Sequence, residues 1–359
     1  MRPTSAIVRL DAIVDNYLLA DGMALRSQSI AVIKANAYGH GMLEVAKSLE
    51  PEVPAFAVAF MEEATQLRDA GIGKPILVLQ GANHASEIAE AAANDFWMLM
   101  HHQGQVDWVL SSNLTQPVRI WIKADTGMHR FGFAPQAIDR VCEDLLASSN
   151  VCSGLVLCTH LACADDTANP MTARQVSAIR ASADRFNLDL SIANSAGILS
   201  WPESHAQWNR PGYMLYGNSP MASVGNDSFG LSTAMSMQSE IIAIRDITPG
   251  EGVGYGQNWV ARRPSRVGTI AIGYGDGYPR HAPNGTPVLV NGQRAPLVGR
   301  VSMDAITVDL TDLEKAEVGD RVELWGQELS VNEVASAAGT IGYEILAGLT
   351  GRVPLIYHF

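Results

Sequence analysis

The feature that most constrains this chain is an alternation that runs through its first two thirds. Short apolar runs suited to buried strands fall at residues 30–33, 55–60, 76–79, 97–100, 118–122, 155–159, 190–193 and 205–209. Between them, residues 42–49, 61–70, 85–93, 103–111, 135–148 and 171–186 have the polar face and period of amphipathic helices. Strand and helix taken in turn about eight times predict a (β/α)8 barrel. An open doubly wound sheet is the competitor, but no G-x-G-x-x-G follows the first run. After about Gly225 the texture changes. Runs rich in β-branched residues at 236–245, 267–273, 287–290, 294–301, 305–310 and 321–324 are separated by the turn pairs Asp276-Gly277, Asn284-Gly285 and Asn291-Gly292. The expected organisation is a barrel over residues 1–225 and a mostly β domain over 226–359, with short helices near 331–337 and 343–349.

Composition narrows the partners. With 359 residues and 47% hydrophobic content, the chain can bury one large core and a smaller one. Its 25 basic and 37 acidic residues leave a net charge of −12 without a basic run, which argues against nucleic acid or an anionic membrane. No apolar stretch approaches the length of a membrane span, and the first residues hold no run suited to a signal peptide. Cys142, Cys152, Cys158 and Cys163 form no CxxC pair, which suits reduced thiols in a cytoplasm. The nine histidines show no metal-ligand spacing.

In a barrel, chemistry belongs at the carboxyl ends of the strands. Those ends are Lys34 after the first run, Lys123 after the fifth, His160 after the sixth, Asn194-Ser195 after the seventh and Arg210-Pro211-Gly212-Tyr213 after the eighth. A lysine there is costly to bury, and desolvation lowers its pKa toward that of a carbonyl nucleophile. The plainer reading is a stem lying on apolar surface with its head in solvent. The Ser195 hydroxyl and the Gly212 and Tyr213 N–H groups fit a barrel phosphate seat formed after strands seven and eight. Taken one at a time, Asn-Ser and Pro-Gly are ordinary turn pairs. Beside a strand-end lysine they suggest a phosphate-bearing aldehyde held as a Schiff base, namely pyridoxal phosphate.

The segment Val32-Ile33-Lys34-Ala35-Asn36-Ala37-Tyr38-Gly39-His40-Gly41 resembles the pyridoxal-phosphate lysine signature of bacterial alanine racemases. The resemblance continues in the same order through 123–132, 159–162, 194–196, 210–217, 252–256, 272–280, 299–304 and 342–344. It implies a homodimer with shared active sites that interconverts L- and D-alanine on a pyridoxal phosphate aldimine. Racemisation needs a base on each face of a planar intermediate. The resemblance assigns these roles to Lys34 and to Tyr255, the latter supplied by the partner subunit. Tyr38, Ser195, Gly212, Tyr213 and Tyr343 match phosphate-binding positions, and His160 matches the residue that supports Arg210. Arg210 matches the arginine facing the pyridine nitrogen, where a permanent cation leaves that nitrogen uncharged and the ring a weaker electron sink. Arg130 and the Met303 N–H match positions that hold the substrate carboxylate, and Lys123 matches a carbamylated lysine that orients Arg130.

Without the resemblance, Tyr255 reads as a β-turn aromatic, Arg130 as a solvated charge and His160 as a structural histidine. The rivals are a barrel-type amino-acid decarboxylase, a broad-specificity racemase and a non-catalytic pyridoxal-phosphate carrier. A decarboxylase of that type carries a cysteine-based site where Ser302-Met303-Asp304 stands. A broad-specificity periplasmic racemase would carry a signal peptide, and a carrier would be a lone barrel. Supply of D-alanine for peptidoglycan and breakdown of alanine are both roles open to such a racemase.

Overall fold

The computed structural model describes residues 2–221, 226–313 and 315–359, so Gly225, where the sequence places the domain boundary, lies outside the described residues. The chain forms two compact units. One comprises Ile13–Ala37 and Met42–Ser232; the other comprises Met1–Ala12, Tyr38–Gly41 and Thr233–Phe359.

The first unit is a parallel barrel. Its strands are Gln28–Ser29 with Ala31–Val32, then Phe56–Val58, Ile76–Val78, Phe96–Met100, Ile120–Lys123, Val156–Cys158, Asp189–Ser191 and Trp208–Asn209. Each pairs in parallel with its neighbour in the sheet. The first two segments are halves of one strand interrupted at Ile30. Ile30 and Val32 donate to the carbonyls of Asn209 and Pro211 at 2.8 and 2.9 Å, while Ala31 and Ile33 donate to Ala55 and Ala57 at 3.3 and 2.9 Å. That strand therefore pairs on both sides and closes the ring at eight.

The strands read as unbroken apolar runs because a parallel barrel covers both faces. All five residues of Phe96–Met100 are buried. The covering helices carry apolar stripes, as in Pro135–Leu146, where Ile138, Val141, Cys142 and Leu145 are buried and Pro135 opens the first turn. Three tryptophans pack together within the barrel, with ring centroids 6.3 Å apart for Trp97–Trp121, 5.6 Å for Trp97–Trp208 and 5.8 Å for Trp121–Trp208. Side chains alternate along a strand, so Lys123 and Arg210 share the inward parity of Trp121 and Trp208. The eighth strand is shorter than the run at 205–209. Residues Pro202–Ser204 form a 3-10 turn, and the His205 ring bonds the Ile198 carbonyl at 3.1 Å.

The second unit is mostly β. Its long strand Met235–Ile247 pairs antiparallel with Ser5–Arg9, Ser265–Ile270 and Arg321–Trp325, with a register shift between Ile241 and Ala243. Leu355–His358 adds parallel to Ser5–Arg9. Pro287–Val290 and Gln293–Pro296 form a hairpin, and Ile306–Asp309 pairs with Ser265–Ile270. Two short helices, Val331–Ala338 and Gly342–Ala347, complete it. Among the described residues, no helix is long and apolar enough to cross a membrane.

The chain leaves Lys34 in a conformation that the sequence reading missed. Ahead of Gly39 and Gly41, Ala35, Asn36, Ala37 and Tyr38 already have φ of 52°, 54°, 53° and 51°. This is a turn of left-handed helix, costing roughly 1–2 kcal/mol for each residue with a Cβ. Local bonds hold it. Ala35 N–H donates to Glu63 Oε1 at 2.7 Å, Ala37 N–H to the Ile33 carbonyl at 2.8 Å, and Met42 N–H to Asn36 Oδ1 at 2.8 Å. At Gly39 (φ 81°) a Cβ would stand 2.1 Å from the Leu346 carbonyl oxygen, so no other residue fits.

Candidate active site

The barrel brings Lys34, Lys123, Arg130, His160 and Arg210 into one electrostatic neighbourhood at the carboxyl ends of its strands. Lys34 is half-buried, and its pKa is lowered first by burial, then by Arg130 and Arg210, against the pull of Glu63. Lys123 is lowered to about 8, first by burial and then by Arg210, Arg130 and Lys34, while Cys158 opposes the shift. Its Nζ lies 4.0 Å from Cys158 Sγ. His160 is held well below its ordinary value by burial and by Lys123, Arg210, Arg130 and Lys34, so its imidazole is neutral. The carboxylate acting on Lys34 is Glu63, which is committed to the N–H groups of Ala35 and Ala59, each at 2.7 Å.

Arg210 is 5% exposed and donates to Ser191 Oγ, to the Thr159 carbonyl at 2.6 Å and to the Ile192 carbonyl at 3.3 Å. Among the described residues it forms no ion pair with a carboxylate; neutral acceptors fix its plane and leave the charge for another group. Sequence reasoning passed over Ser191. Its signal is register, since Ser191 aligns with Cys158 and Cys158 with Lys123 across neighbouring strands.

Ser195 is buried, and its Oγ accepts from Gly212 N–H at 3.0 Å and Met214 N–H at 3.3 Å. Asn194 caps the helix Ser195–Ser200 by accepting from Gly197 N–H at 2.9 Å. Tyr213 opens the 3-10 turn Tyr213–Tyr216 and is buried. Backbone donors therefore converge on one hydroxyl after strands seven and eight.

Arg130 sits on the loop after Lys123. The Asp125 carboxylate accepts the N–H groups of Gly127, Met128 and His129 at 3.0, 3.1 and 3.0 Å, and the loop closes where Phe133 N–H donates to the Lys123 carbonyl at 2.8 Å. Gln175, fully buried, ties this loop to the next strand end by donating to Thr126 Oγ1 at 3.1 Å and to the His160 carbonyl at 3.0 Å. Gln175 lies mid-helix and nothing in its local sequence marks it.

The remaining candidates belong to the second unit. Tyr38 and Tyr343 pack with ring centroids 6.0 Å apart, and burial raises the Tyr38 pKa. Tyr255 is 71% exposed and Met303 is 51% exposed.

A desolvated amine, a buried guanidinium paired with no carboxylate among the described residues and backbone donors converging at strands seven and eight define a barrel whose mouth is suited to anionic groups. Residues 8–220 match the family model for the alanine racemase N-terminal domain, and residues 234–357 match that for the C-terminal domain. The chain is 47% identical to an alanine racemase of Chromohalobacter salexigens, covering 99% of this chain and 98% of that one. It is 45% identical to a catabolic alanine racemase of Pseudomonas putida, covering 99% of each. Its structure superposes on the crystal structure of the biosynthetic alanine racemase of Pseudomonas aeruginosa with a TM-score of 0.97 at 46% identity, covering 100% of both chains. An alanine racemase from Bartonella henselae, with covalently bound pyridoxal phosphate, matches with a TM-score of 0.91 at 31% identity, covering 100% of both chains. The chain belongs to the alanine racemase family.

Proposed function

We propose that this protein interconverts L-alanine and D-alanine, with pyridoxal 5'-phosphate anchored through Lys34. The observation that carries the reading is the cluster of Lys34, Lys123, Arg130 and Arg210, whose charges act on one another while, among the described residues, Glu63 is the carboxylate that bears on Lys34. Such a cluster calls for anions, and a phosphate together with a substrate carboxylate answers that call.

The residues fit the cofactor. Ser195, Gly212 and Tyr213, with Tyr38 and Tyr343, would hold the phosphate. Arg210 would donate to the pyridine nitrogen, with His160 kept neutral by burial and the surrounding cations. The bound cofactor supplies the electron sink that acidifies the substrate's α-proton. Lys34, whose pKa is lowered first by burial and then by Arg130, would take or return that proton on one face. Tyr255 of the partner subunit serves the other. Arg130 and the Met303 N–H hold the substrate carboxylate, and Lys123, carbamylated, orients Arg130 as an anion. An unmodified ammonium there would repel it.

In this reading residues 1–225 bind the cofactor and residues 226–359 bring Tyr255 and Met303 to the active site of a second copy, which makes the homodimer the working form. Four free cysteines accord with a cytoplasmic location. Family relatives carry both biosynthetic and catabolic names, so the reaction and not the pathway follows from the site.

The test is to incubate the purified holoenzyme with L-alanine and follow its optical rotation and any carbon dioxide released. Decay of rotation to zero without gas is expected. Released carbon dioxide would make the protein a decarboxylase, and an unchanged solution would make it a cofactor carrier.

A further inference from the structure

His101 follows the strand Phe96–Met100 at the carboxyl end of the barrel. It shares the inward parity of Trp97, and because Met100 aligns with Ile122 it stands beside Lys123. Its backbone and ring are both fixed. His101 N–H donates to Gln105 Oε1 at 2.9 Å, and the ring Nε2 donates to the Gln80 carbonyl at 3.1 Å. Gln105 is itself buried, and its amide bonds the carbonyls of Gln80 at 3.0 Å and Ala82 at 2.9 Å. On this fixed imidazole lies Phe131, with ring centroids 4.8 Å apart. The Arg130 guanidinium carbon is 5.9 Å from the centroid of the Phe131 ring.

The rest of the Arg130 loop is tied at its base. Asp125 holds residues 127–129, and Phe133 returns to the Lys123 carbonyl. His129 (φ 56°) and Gly132 (φ 124°) flank Arg130 and Phe131 with left-handed backbone, and Arg130 is exposed. The aromatic contact is what reaches the tip.

We propose that His101 is a positioning residue for the substrate: its fixed imidazole seats Phe131, and Phe131 in turn sets the Arg130 guanidinium where it meets the amino-acid carboxylate. The inference rests on the assignment of Arg130 to that carboxylate. A neutral ring is required, since an imidazolium beneath Phe131 would add a second cation near Arg130. Burial, His102 and Lys123 keep His101 below its ordinary pKa.

The experiment is steady-state kinetics of the holoenzyme with L- and D-alanine for His101→Ala, His101→Phe, Phe131→Ala, the His101→Ala/Phe131→Ala double variant and Arg130→Ala. Loss of the ring pair is expected to raise KM about three- to tenfold in either single alanine variant, with kcat within about twofold. His101→Phe retains a ring but not its bond to the Gln80 carbonyl, and is expected to restore KM in part. The double variant should be no worse than either single one. Unchanged KM in His101→Ala and Phe131→Ala, a His101→Phe variant as impaired as His101→Ala, or effects that multiply in the double variant would overturn the proposal while leaving the role of Arg130 intact. An Arg130→Ala variant with an unchanged KM would overturn the carboxylate assignment, and this inference with it.

Discussion

Lys123 Nζ faces Cys158 Sγ at 4.0 Å, two side chains in register on neighbouring barrel strands beneath a group of cations. A thiol is a weak acceptor, so this contact leaves the Lys123 ammonium poorly compensated. With its pKa lowered to about 8, the amine is about half neutral at pH 8 and can attack carbon dioxide. The added carboxylate would turn a cation into an anion beside Arg130. We predict that intact-mass measurement in bicarbonate buffer shows this adduct increasingly from pH 7 to 9, and never in Lys123→Gln. A bare amine throughout would remove the modification.

The same shift has a consequence for stability without carbon dioxide. The folded protein releases the Lys123 proton near pH 8, whereas the unfolded chain holds it to about pH 10.4. Between those values the unfolded state binds more protons, so stability rises with pH; below about 8 this group contributes no slope. Lys34 is shifted in the same direction, so the Lys123 share is the difference in pH slope between wild type and Lys123→Gln in denaturant melts.

Lys34→Ala is expected to abolish the visible absorption of the lysine-bound cofactor and racemisation together. The site has a second desolvated amine, Lys123. If absorption persisted in Lys34→Ala and vanished in Lys123→Gln, the anchor would be Lys123.

Tyr255→Phe keeps the ring and removes the one group able to exchange a proton. Because Lys34 remains on its own face, deuterium exchange at the α-carbon is expected to fall at least tenfold more for one alanine enantiomer than for the other. Equal loss for both, followed by nuclear magnetic resonance in heavy water, would rule out a division of labour between the two residues.

Ala35 is exposed and left-handed (φ 52°), so its Cβ contributes strain and little packing. Glycine removes a penalty of roughly 1–2 kcal/mol. It adds about 0.4–1 kcal/mol of unfolded-state entropy. The strain term wins, and Ala35→Gly is expected to stabilise by about 0.5–1 kcal/mol, raising Tm by roughly 1–3 °C. Ala35→Val should lower it. A lower Tm for the glycine variant would show that the turn is not strained.

How much of this was legible follows from which interactions are local. The barrel could be read because strands covered on both faces are uninterrupted apolar runs, and Lys34, Lys123 and Arg210 stand where those runs stop. Ser5–Arg9 and Leu355–His358 went unread because the first is a strand only through pairing with Met235–Ile247 and with Leu355–His358, and the second only through pairing with Ser5–Arg9, across more than 200 residues. Alanine has no preference for left-handed backbone, so the turn at Ala35–Tyr38 is set by the bonds of the Glu63 and Asn36 side chains and not by its alanines. His101 was overlooked because a histidine after a strand carries no motif. Its meaning lies in the period-two parity it shares with Trp97 and in a partner, Phe131, from the next loop.

Asp276 offers a test of the second unit. It is fully buried, and its Oδ1 meets Arg2 Nη1 at 2.7 Å and Arg352 Nε at 3.1 Å, while Oδ2 accepts Gly273 N–H at 3.0 Å. Arg352 continues to Asp304 at 2.7 Å, beside Met303, whose carbonyl accepts Gly275 N–H at 2.9 Å. Removing one partner of a buried pair costs about 3–5 kcal/mol when the other charge stays buried. Here both arginines are partly exposed, with 30% and 43% of their side chains accessible, and can turn to solvent. The lower figure, about 1–3 kcal/mol, therefore applies to Asp276→Asn, most of it from the misfit of an amide against two guanidinium groups. Because the 273–276 turn and the 302–304 loop share backbone bonds, the same variant is expected to raise KM for alanine several-fold at temperatures where it stays folded. A loss of stability with KM unchanged would mean that Asp276 anchors the N-terminus through Arg2 but does not set the position of Met303.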